Sequence, residues 1–127
     1  MESIHLHGDE KRPTVELNKQ GGVFKIEGRS VPEDAQKFYA PFLTWLEEYK
    51  KTPNRITCFE INLDYMNTAS SMMVLALLLQ LKSIHQEGKT VLIKWHFSEE
   101  DMQDAGVNFE DATNLPFEHI GEIDDEF

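Results

Sequence analysis

A strand pattern, a long apolar helix pattern and a second strand pattern follow one another in the middle of this chain, and this succession limits its possible folds most. Residues 55–63 and 90–97 have the periodicity of strands, and residues 70–86 between them are helical and almost uniformly apolar as far as Ile84. A strand, a helix and a strand of these lengths form a βαβ unit with parallel strands and a right-handed connection. The sequence therefore predicts an α/β fold.

The first of these strands carries apolar residues on both of its faces. Phe59 lies on one face, while Ile56 and Cys58 begin the other. Because parallel strands are usually covered on both sides, we expect a central strand that is buried on both faces. A turn is expected at residues 64–67, and Gly88 is suited to end the helix that follows. A helix that is apolar all round is either buried or keeps a second face for a partner.

A β-hairpin is predicted upstream of this unit. Residues 14–17 and 23–27 both alternate apolar and polar side chains, and the Gly21-Gly22 pair lies between them. Short alternating strands on either side of a glycine pair are typical of a hairpin with one buried face.

Residues 33–51 have the pattern of a helix with an aromatic stripe. Four rings recur at steps of four, three and four from Phe38 to Tyr49 (Phe38, Phe42, Trp45 and Tyr49), which places them on one side of a helix. Pro41 interrupts the pattern because proline lacks a backbone donor and clashes with the preceding turn. The segment is therefore either one kinked helix or two helices, the second of which begins with Pro41.

The C-terminal part is expected to add a short helix and an edge strand. Residues 99–105 are predicted as a helix capped by Ser98, residues 108–116 as a loop, and residues 117–123 as an edge strand. Residues 124–127 are expected to form a solvated tail. The complete prediction is a single α/β domain over residues 1–127: a mixed β-sheet with an N-terminal hairpin, a central βαβ unit and packed helices.

Charge and cysteine content exclude several classes of protein. The chain has 127 residues and a formal net charge of −11, which disfavours nucleic acid and anionic membrane surfaces as partners. The acidic surface suits either a basic protein partner or solubility alone. The lone Cys58 excludes an internal disulfide and is expected to be a buried structural thiol. Residues 1–10 do not resemble a signal peptide and the longest apolar run is too short to span a membrane, so we expect a cytoplasmic protein.

Enzyme motifs are absent from the sequence. It has no glycine-rich phosphate loop, no paired-cysteine metal motif and no nucleophile elbow, so binding is favoured over catalysis and no cofactor is expected. His5 and His7 could share a strand face and hold a metal, but we favour solvated histidines in a frayed terminus. Glu60 and Lys94 are expected to face each other across neighbouring strands.

The most informative segment joins the central strand to the apolar helix. It places four polar side chains, those of Asn67, Thr68, Ser70 and Ser71, where the helix begins. In α/β sheets, sites are built beyond the carboxyl ends of the strands, and a helix start offers free N–H groups and partial positive charge. These residues can simply cap the helix, and one of their hydroxyl groups can also accept a phosphate.

This segment resembles one family of regulatory proteins. The run Ile61-Asn-Leu-Asp-Tyr-Met-Asn-Thr-Ala-Ser-Ser71, followed by a long apolar helix, Gly88 and a strand, is similar to the STAS-type fold of anti-sigma factor antagonists. It is more similar to the SiaC family of bacterial regulatory phosphoproteins, over nearly the whole chain. Anti-sigma factor antagonists usually carry Asp-Ser where Asn67 and Thr68 stand, and glycine near Ser70 and Met72, which favours the SiaC family.

The resemblance implies a phosphorylation switch. In the family, the threonine that matches Thr68 is phosphorylated by a partner protein kinase and dephosphorylated by a PP2C-type phosphatase. The unmodified form binds and activates a diguanylate cyclase, which raises cyclic di-GMP and favours biofilm. By this resemblance, the partner-binding residues are expected to be Tyr65, Asn67, Thr68, Ala69, Ser70, Ser71 and Met72.

Three alternatives remain at the level of sequence. The protein could be an anti-sigma factor antagonist that binds an anti-sigma kinase. It could be a small enzyme or ligand-binding protein with a pocket at residues 64–71 and Asp64 as base, which requires a deep apolar pocket there. The apolar helix, with Met72 and Met73 near its start, could also form a homodimer face.

Overall fold

A computed structural model describes residues 1–121 as one six-stranded mixed sheet and three α-helices. The strands lie side by side in chain order, antiparallel from β1 to β3 and parallel from β3 to β6. The predicted α/β class with its hairpin and βαβ unit is confirmed. The elements are β1 Ile4–Leu6, β2 Thr14–Asn18, β3 Val23–Ser30, α1 Ala35–Tyr49, β4 Ile56–Met66, α2 Thr68–Gln86, β5 Thr90–Phe97, α3 Glu100–Thr113 and β6 Phe117–Gly121.

The N-terminal region contains one strand more than predicted. Strands β2 and β3 form the expected hairpin, and Gly22 adopts a positive φ of 68° in its turn. The expectation of a frayed terminus is wrong, because β1 pairs with β2 and sets Leu6 opposite Val15. His5 then lies 3.9 Å from Glu16 across the strand pair, while His7 follows the strand.

The helices cover only one face of the sheet. Phe24, Phe59 and Ile93 lie in register on that face and are buried. Side chains from all three helices join them in one core cluster. On the other face, Glu60 lies opposite Lys94, as expected, and both are half-buried.

The prediction that β4 is buried on both faces is therefore wrong. Ile56 is 56% exposed and Cys58 is half-buried rather than buried, although partial burial still raises the pKa of its thiol. Ile56 and Cys58 are the apolar residues on the face of β4 that the helices do not cover. From Glu60 onward this face is polar. A sheet face of this composition can lie against water.

Helix α1 is continuous through Pro41, which resolves the choice between one helix and two. Asp34 caps it, since its carboxylate accepts a hydrogen bond from the Lys37 N–H at 3.1 Å. Phe42, Trp45 and Tyr49 are buried as predicted, whereas Phe38 is only half-buried and its neighbour Tyr39 is buried instead. The helix packs beside α2 on the same face of the sheet.

Helix α3 is longer than predicted, and residues 108–113 belong to it rather than to a loop. Its N-cap is Glu99, not Ser98, and no side chain provides a capping bond. Gly106 lies inside the helix and packs against the Trp95 ring, which a Cβ atom at this position would approach to 2.5 Å. Glycine thus allows close packing, and the indole N–H of Trp95 donates to the Met102 carbonyl at 2.7 Å.

Helix α2 and strand β5 end where predicted, and Gly88 adopts a positive φ of 93° after the helix. The edge strand is observed as β6, from Phe117 to Gly121. The predicted continuation over residues 122–123 and the tail at 124–127 lie outside the described residues. Among residues 1–121, the structure contains no helix with the length and apolar character that crossing a membrane requires.

Candidate partner-binding surface at the start of helix α2

Strand β4 extends further toward the candidate site than the sequence predicted. The expected turn at residues 64–67 is wrong, because the strand continues to Met66. The pairing with β3 shifts after Gly28 opposite Leu63, so that Arg29 lies opposite Tyr65. The extra residue, Asp64, changes the alternation of side chains at this strand end. Met66 consequently packs against the core, while Tyr65 is 48% exposed.

Asn67 is the residue that caps helix α2. Its side-chain oxygen accepts a hydrogen bond from the Ser70 N–H at 2.8 Å, and its own N–H donates to the Ser30 carbonyl at 3.1 Å. The helix therefore begins at Thr68, two residues earlier than predicted. Thr68 is exposed. The capping role expected of this polar cluster belongs to Asn67, which leaves the Thr68 hydroxyl at the surface.

Ser70 faces the interior, so the expectation that it lies in an exposed surface is wrong. Its side chain is 0% exposed, and its hydroxyl accepts a hydrogen bond from Ser30 at 2.8 Å. Ser30 in turn lies 2.7 Å from the Tyr39 hydroxyl. Burial raises the pKa of Tyr39 to about 12, so this phenol remains a neutral hydrogen-bonding group. Three elements (β3, α1 and α2) are joined by this buried chain of hydroxyl groups.

Sequence reasoning missed Ser30 and Tyr39 but had a signal for the inward position of Ser70. Ser70 recurs with Val74, Leu77 and Leu81 at steps of four, three and four, which is the periodicity of a buried helix stripe. Nothing in the sequence alone pairs Ser30 with Ser70, because 40 residues separate them.

An exposed apolar stripe runs along the outer side of α2. It starts beside Thr68 with Met72, which is 68% exposed, and reaches Leu79, which is 46% exposed. Met72 is four positions after Thr68, and Leu79 is seven positions after Met72. Because residues at these spacings lie on one side of a helix, both side chains share a face with Thr68. Ala69 is exposed as well, while Ser71 and Met73 are half-buried.

An open, acidic cleft of about 390 Å³ lies between the start of α2 and α3. Its carboxylates are those of Asp64, Glu99 and Asp101, and no cationic side chain lines it. This is not the deep apolar pocket that an enzyme with Asp64 as base would require. The lining residues are Asp64, Tyr65, Met66, Asn67, Thr68, Ser71, Glu99, Asp101, Met102 and Ala105.

Arg29 is a cation at the edge of this surface that the sequence did not single out. Its guanidinium carbon lies 5.1 Å from the centroid of the Tyr65 ring. This is within the range of a cation–π contact. The guanidinium therefore covers part of an exposed aromatic residue of the surface.

Other places in the structure are weaker candidates for a site. A cleft of about 800 Å³ lies between the β1–β2 loop and the start of α1, but two of its cations already have acidic partners. Arg12 lies 2.7 Å from Asp9, and Lys11 lies 3.8 Å from Glu33. The hydrogen bond from the Arg12 side chain is the main cause that lowers the pKa of Asp9 to about 2. In the part of the chain that the structure describes, no group of three or more His, Cys, Asp and Glu residues could hold a metal ion.

A small α/β protein with an exposed surface at the start of a helix, and no enclosed pocket at that place, is suited to binding another macromolecule. The chain belongs to the SiaC family of regulatory phosphoproteins, whose model matches residues 6–122. It is also 25% identical over 119 residues to an uncharacterized protein of Pseudomonas aeruginosa strain UCBPP-PA14, covering 92% of this chain and 94% of that protein.

Two solved structures from Pseudomonas aeruginosa are similar to this fold. Apo-SiaC superimposes with a TM-score of 0.88 at 24% identity, covering 95% of this chain and 100% of that one. The second structure is that of the diguanylate cyclase SiaD in complex with its activator SiaC. This chain is similar to it with a TM-score of 0.85 at 23% identity. That match covers 94% of this chain and 99% of the other.

Proposed function

We propose that this protein binds and activates a diguanylate cyclase, and that phosphorylation of Thr68 prevents the binding. The observation that carries the proposal is that Thr68 is exposed at the start of α2, next to an exposed apolar stripe and Tyr65. Membership of the SiaC family supports a regulatory role. The complex of the structurally similar SiaC with the cyclase that it activates supports the kind of partner.

The proposed docking surface consists of exposed or half-buried residues around Thr68: Tyr65, Asn67, Thr68, Ala69, Ser71 and Met72. Ser70 is left out because it is buried. The apolar members of this surface would supply the binding free energy, at roughly 25 cal/mol per Å² of apolar area removed from water.

A phosphate on Thr68 would oppose docking through its charge. It adds about −1.5 to −2 charges at a surface where the neighbouring cleft already holds three carboxylates. Its favourable interaction with the helix start is only about 0.3–1 kcal/mol, so the fold need not change. Burying an unpaired charge in an interface costs about 2–5 kcal/mol, and each 1.4 kcal/mol is tenfold in affinity. Phosphorylation would therefore lower the affinity by roughly one and a half to three and a half orders of magnitude.

A phosphoprotein family and the exposure of Thr68 support a pair of enzymes that would set the switch. A partner protein kinase would phosphorylate the exposed hydroxyl, and a PP2C-type phosphatase would restore it. Both reactions need the side chain at the surface, and Thr68 meets this requirement whereas Ser70 does not.

The test compares the affinity of the cyclase for four forms of the protein: unmodified, phosphorylated at Thr68, Thr68→Glu and Thr44→Glu. Thr44 is an exposed threonine on α1, so its variant adds the same charge elsewhere. We expect phosphorylation to have the largest effect, Thr68→Glu to weaken binding at least about tenfold, and Thr44→Glu to leave it unchanged. Cyclic di-GMP synthesis by the cyclase should fall most with the phosphorylated protein, less with Thr68→Glu and not at all with Thr44→Glu.

Full affinity of the phosphorylated protein for the cyclase would contradict the proposal. A pull-down from the native cell that recovers an anti-sigma factor and no cyclase would replace it with the anti-sigma factor antagonist alternative. Light scattering of the unmodified protein tests the remaining alternative, a homodimer through Met72 and Met73.

A further inference from the structure

The charges around Thr68 are unevenly distributed. On the side of α3, the cleft that Thr68 lines carries the carboxylates of Asp64, Glu99 and Asp101. A phosphate dianion on Thr68 would be repelled from that side, because like charges at short range disfavour each other. A phosphorylated Thr68 side chain should therefore turn away from α3.

Arg29 lies on β3, at the end of the sheet where α2 begins. The residue next to it, Ser30, contacts residues on either side of Thr68: its carbonyl accepts from the N–H of Asn67, the residue before Thr68, at 3.1 Å, and its hydroxyl donates to Ser70, two residues after Thr68, at 2.8 Å. These two bonds fix the Arg29 backbone beside the first turn of α2. The Arg29 side chain itself is exposed and is held over the Tyr65 ring, 5.1 Å from its centroid.

We propose that Arg29 binds the phosphate when Thr68 is phosphorylated, and that it leaves the Tyr65 ring to do so. A guanidinium makes paired, charge-assisted hydrogen bonds with a phosphate, and these are stronger than a solvent-exposed cation–π contact. Arg29 thus has two positions, one over the ring and one on the phosphate. One guanidinium offsets only part of the charge of about −1.5 to −2 on the phosphate, so the docking surface stays negatively charged there. The departure of Arg29 also changes the shape of the docking surface at Tyr65.

This inference rests on the proposed function only for the modification of Thr68. The experiment therefore uses phosphothreonine incorporated at position 68 during translation, with neither kinase nor cyclase present. The second ionisation of the phosphate, near pH 6, is followed by ³¹P NMR in the parent chain, Arg29→Gln and Arg55→Gln. Arg55 is an exposed arginine at the opposite end of β4, so its variant removes the same charge far from Thr68.

A bound guanidinium favours the dianion and lowers the pKa of the phosphate. We expect Arg29→Gln to raise this pKa by about half a pH unit or more, and Arg55→Gln to leave it nearly unchanged. Arg29→Lys, which keeps the charge but loses the paired hydrogen bonds, should give an intermediate value.

The second readout is the ring-current shift of the Arg29 side-chain protons. In the unmodified protein the Tyr65 ring should shift these resonances upfield, and phosphorylation should abolish the shift. Equal phosphate titrations in Arg29→Gln and Arg55→Gln, or a ring-current shift that persists after phosphorylation, would overturn the proposal. Either result leaves binding of the cyclase untested, so the failure of this inference is distinguishable from failure of the proposed function.

Discussion

The inner and outer sides of the first turn of α2 carry hydroxyl groups with opposite environments. Ser70 is completely buried and hydrogen-bonded to Ser30, whereas Thr68, two residues earlier, is exposed. Each residue of an α-helix is turned by about 100° from the one before, so positions two apart lie on nearly opposite sides. One helical turn can therefore hold the helix on the sheet with one hydroxyl and present another to solvent. The two sides should respond differently to mutation.

The largest loss of stability is expected on the inner side. Ser70→Ala removes a buried acceptor from the chain of hydroxyl groups, and we expect it to lower the free energy of unfolding by about 1–3 kcal/mol. Urea denaturation measures this. Ser71→Ala is the matched control, since the same change one residue further on affects a half-buried side chain and should stay within about 0.5 kcal/mol. Equal losses in the two variants would remove the distinction between the sides.

Substitution of Asn67, the residue that caps α2, should lower the free energy of unfolding by less than substitution of Ser70. Asn67→Ala removes the acceptor for the Ser70 N–H, and we expect a loss of about 1 kcal/mol. Asn67→Asp keeps an acceptor at this position and should restore most of the stability. If Asn67→Asp is as unstable as Asn67→Ala, capping is not what Asn67 contributes.

The outer side should show almost no effect on stability and a clear effect on binding. Met72→Ser changes a side chain that is 68% exposed, so the free energy of unfolding should change by less than about 0.5 kcal/mol. Burying a methionine in an interface is worth about 1.5–3 kcal/mol, so affinity for the cyclase should fall about tenfold or more. Met72→Leu should bind normally. A normal affinity of Met72→Ser would place docking elsewhere.

The parts of the fold that were predictable from the sequence are those in which a local pattern and the tertiary structure agree. The sequence predicts both ends of β5, which its apolar periodicity marks. It also predicts the C-terminal end of α2, which Gly88 marks. Helix α3 extends beyond the predicted residues 99–105 and continues through Gly106 to Thr113. That glycine is needed for contact with Trp95, which no local pattern shows.

The candidate site was located by its segment but not by the orientation of its residues. The sequence predicts a site in the polar cluster after β4 but a start of α2 at Ser70, whereas the helix begins at Thr68. That error of two residues decides which hydroxyl faces the sheet. The contributions of Ser30, Tyr39 and Arg29 come from other elements of the fold, so they could not be inferred from the segment itself.

The uncovered face of the sheet also provides a place for a probe. Cys58, the chain's single cysteine, lies there and is half-buried, on the opposite side of the sheet from α2. A fluorophore attached to this native thiol needs no engineered residue and leaves the docking surface clear for titration with a cyclase. Because burial raises the pKa of the thiol, labelling should be faster in mildly alkaline buffer than at neutral pH.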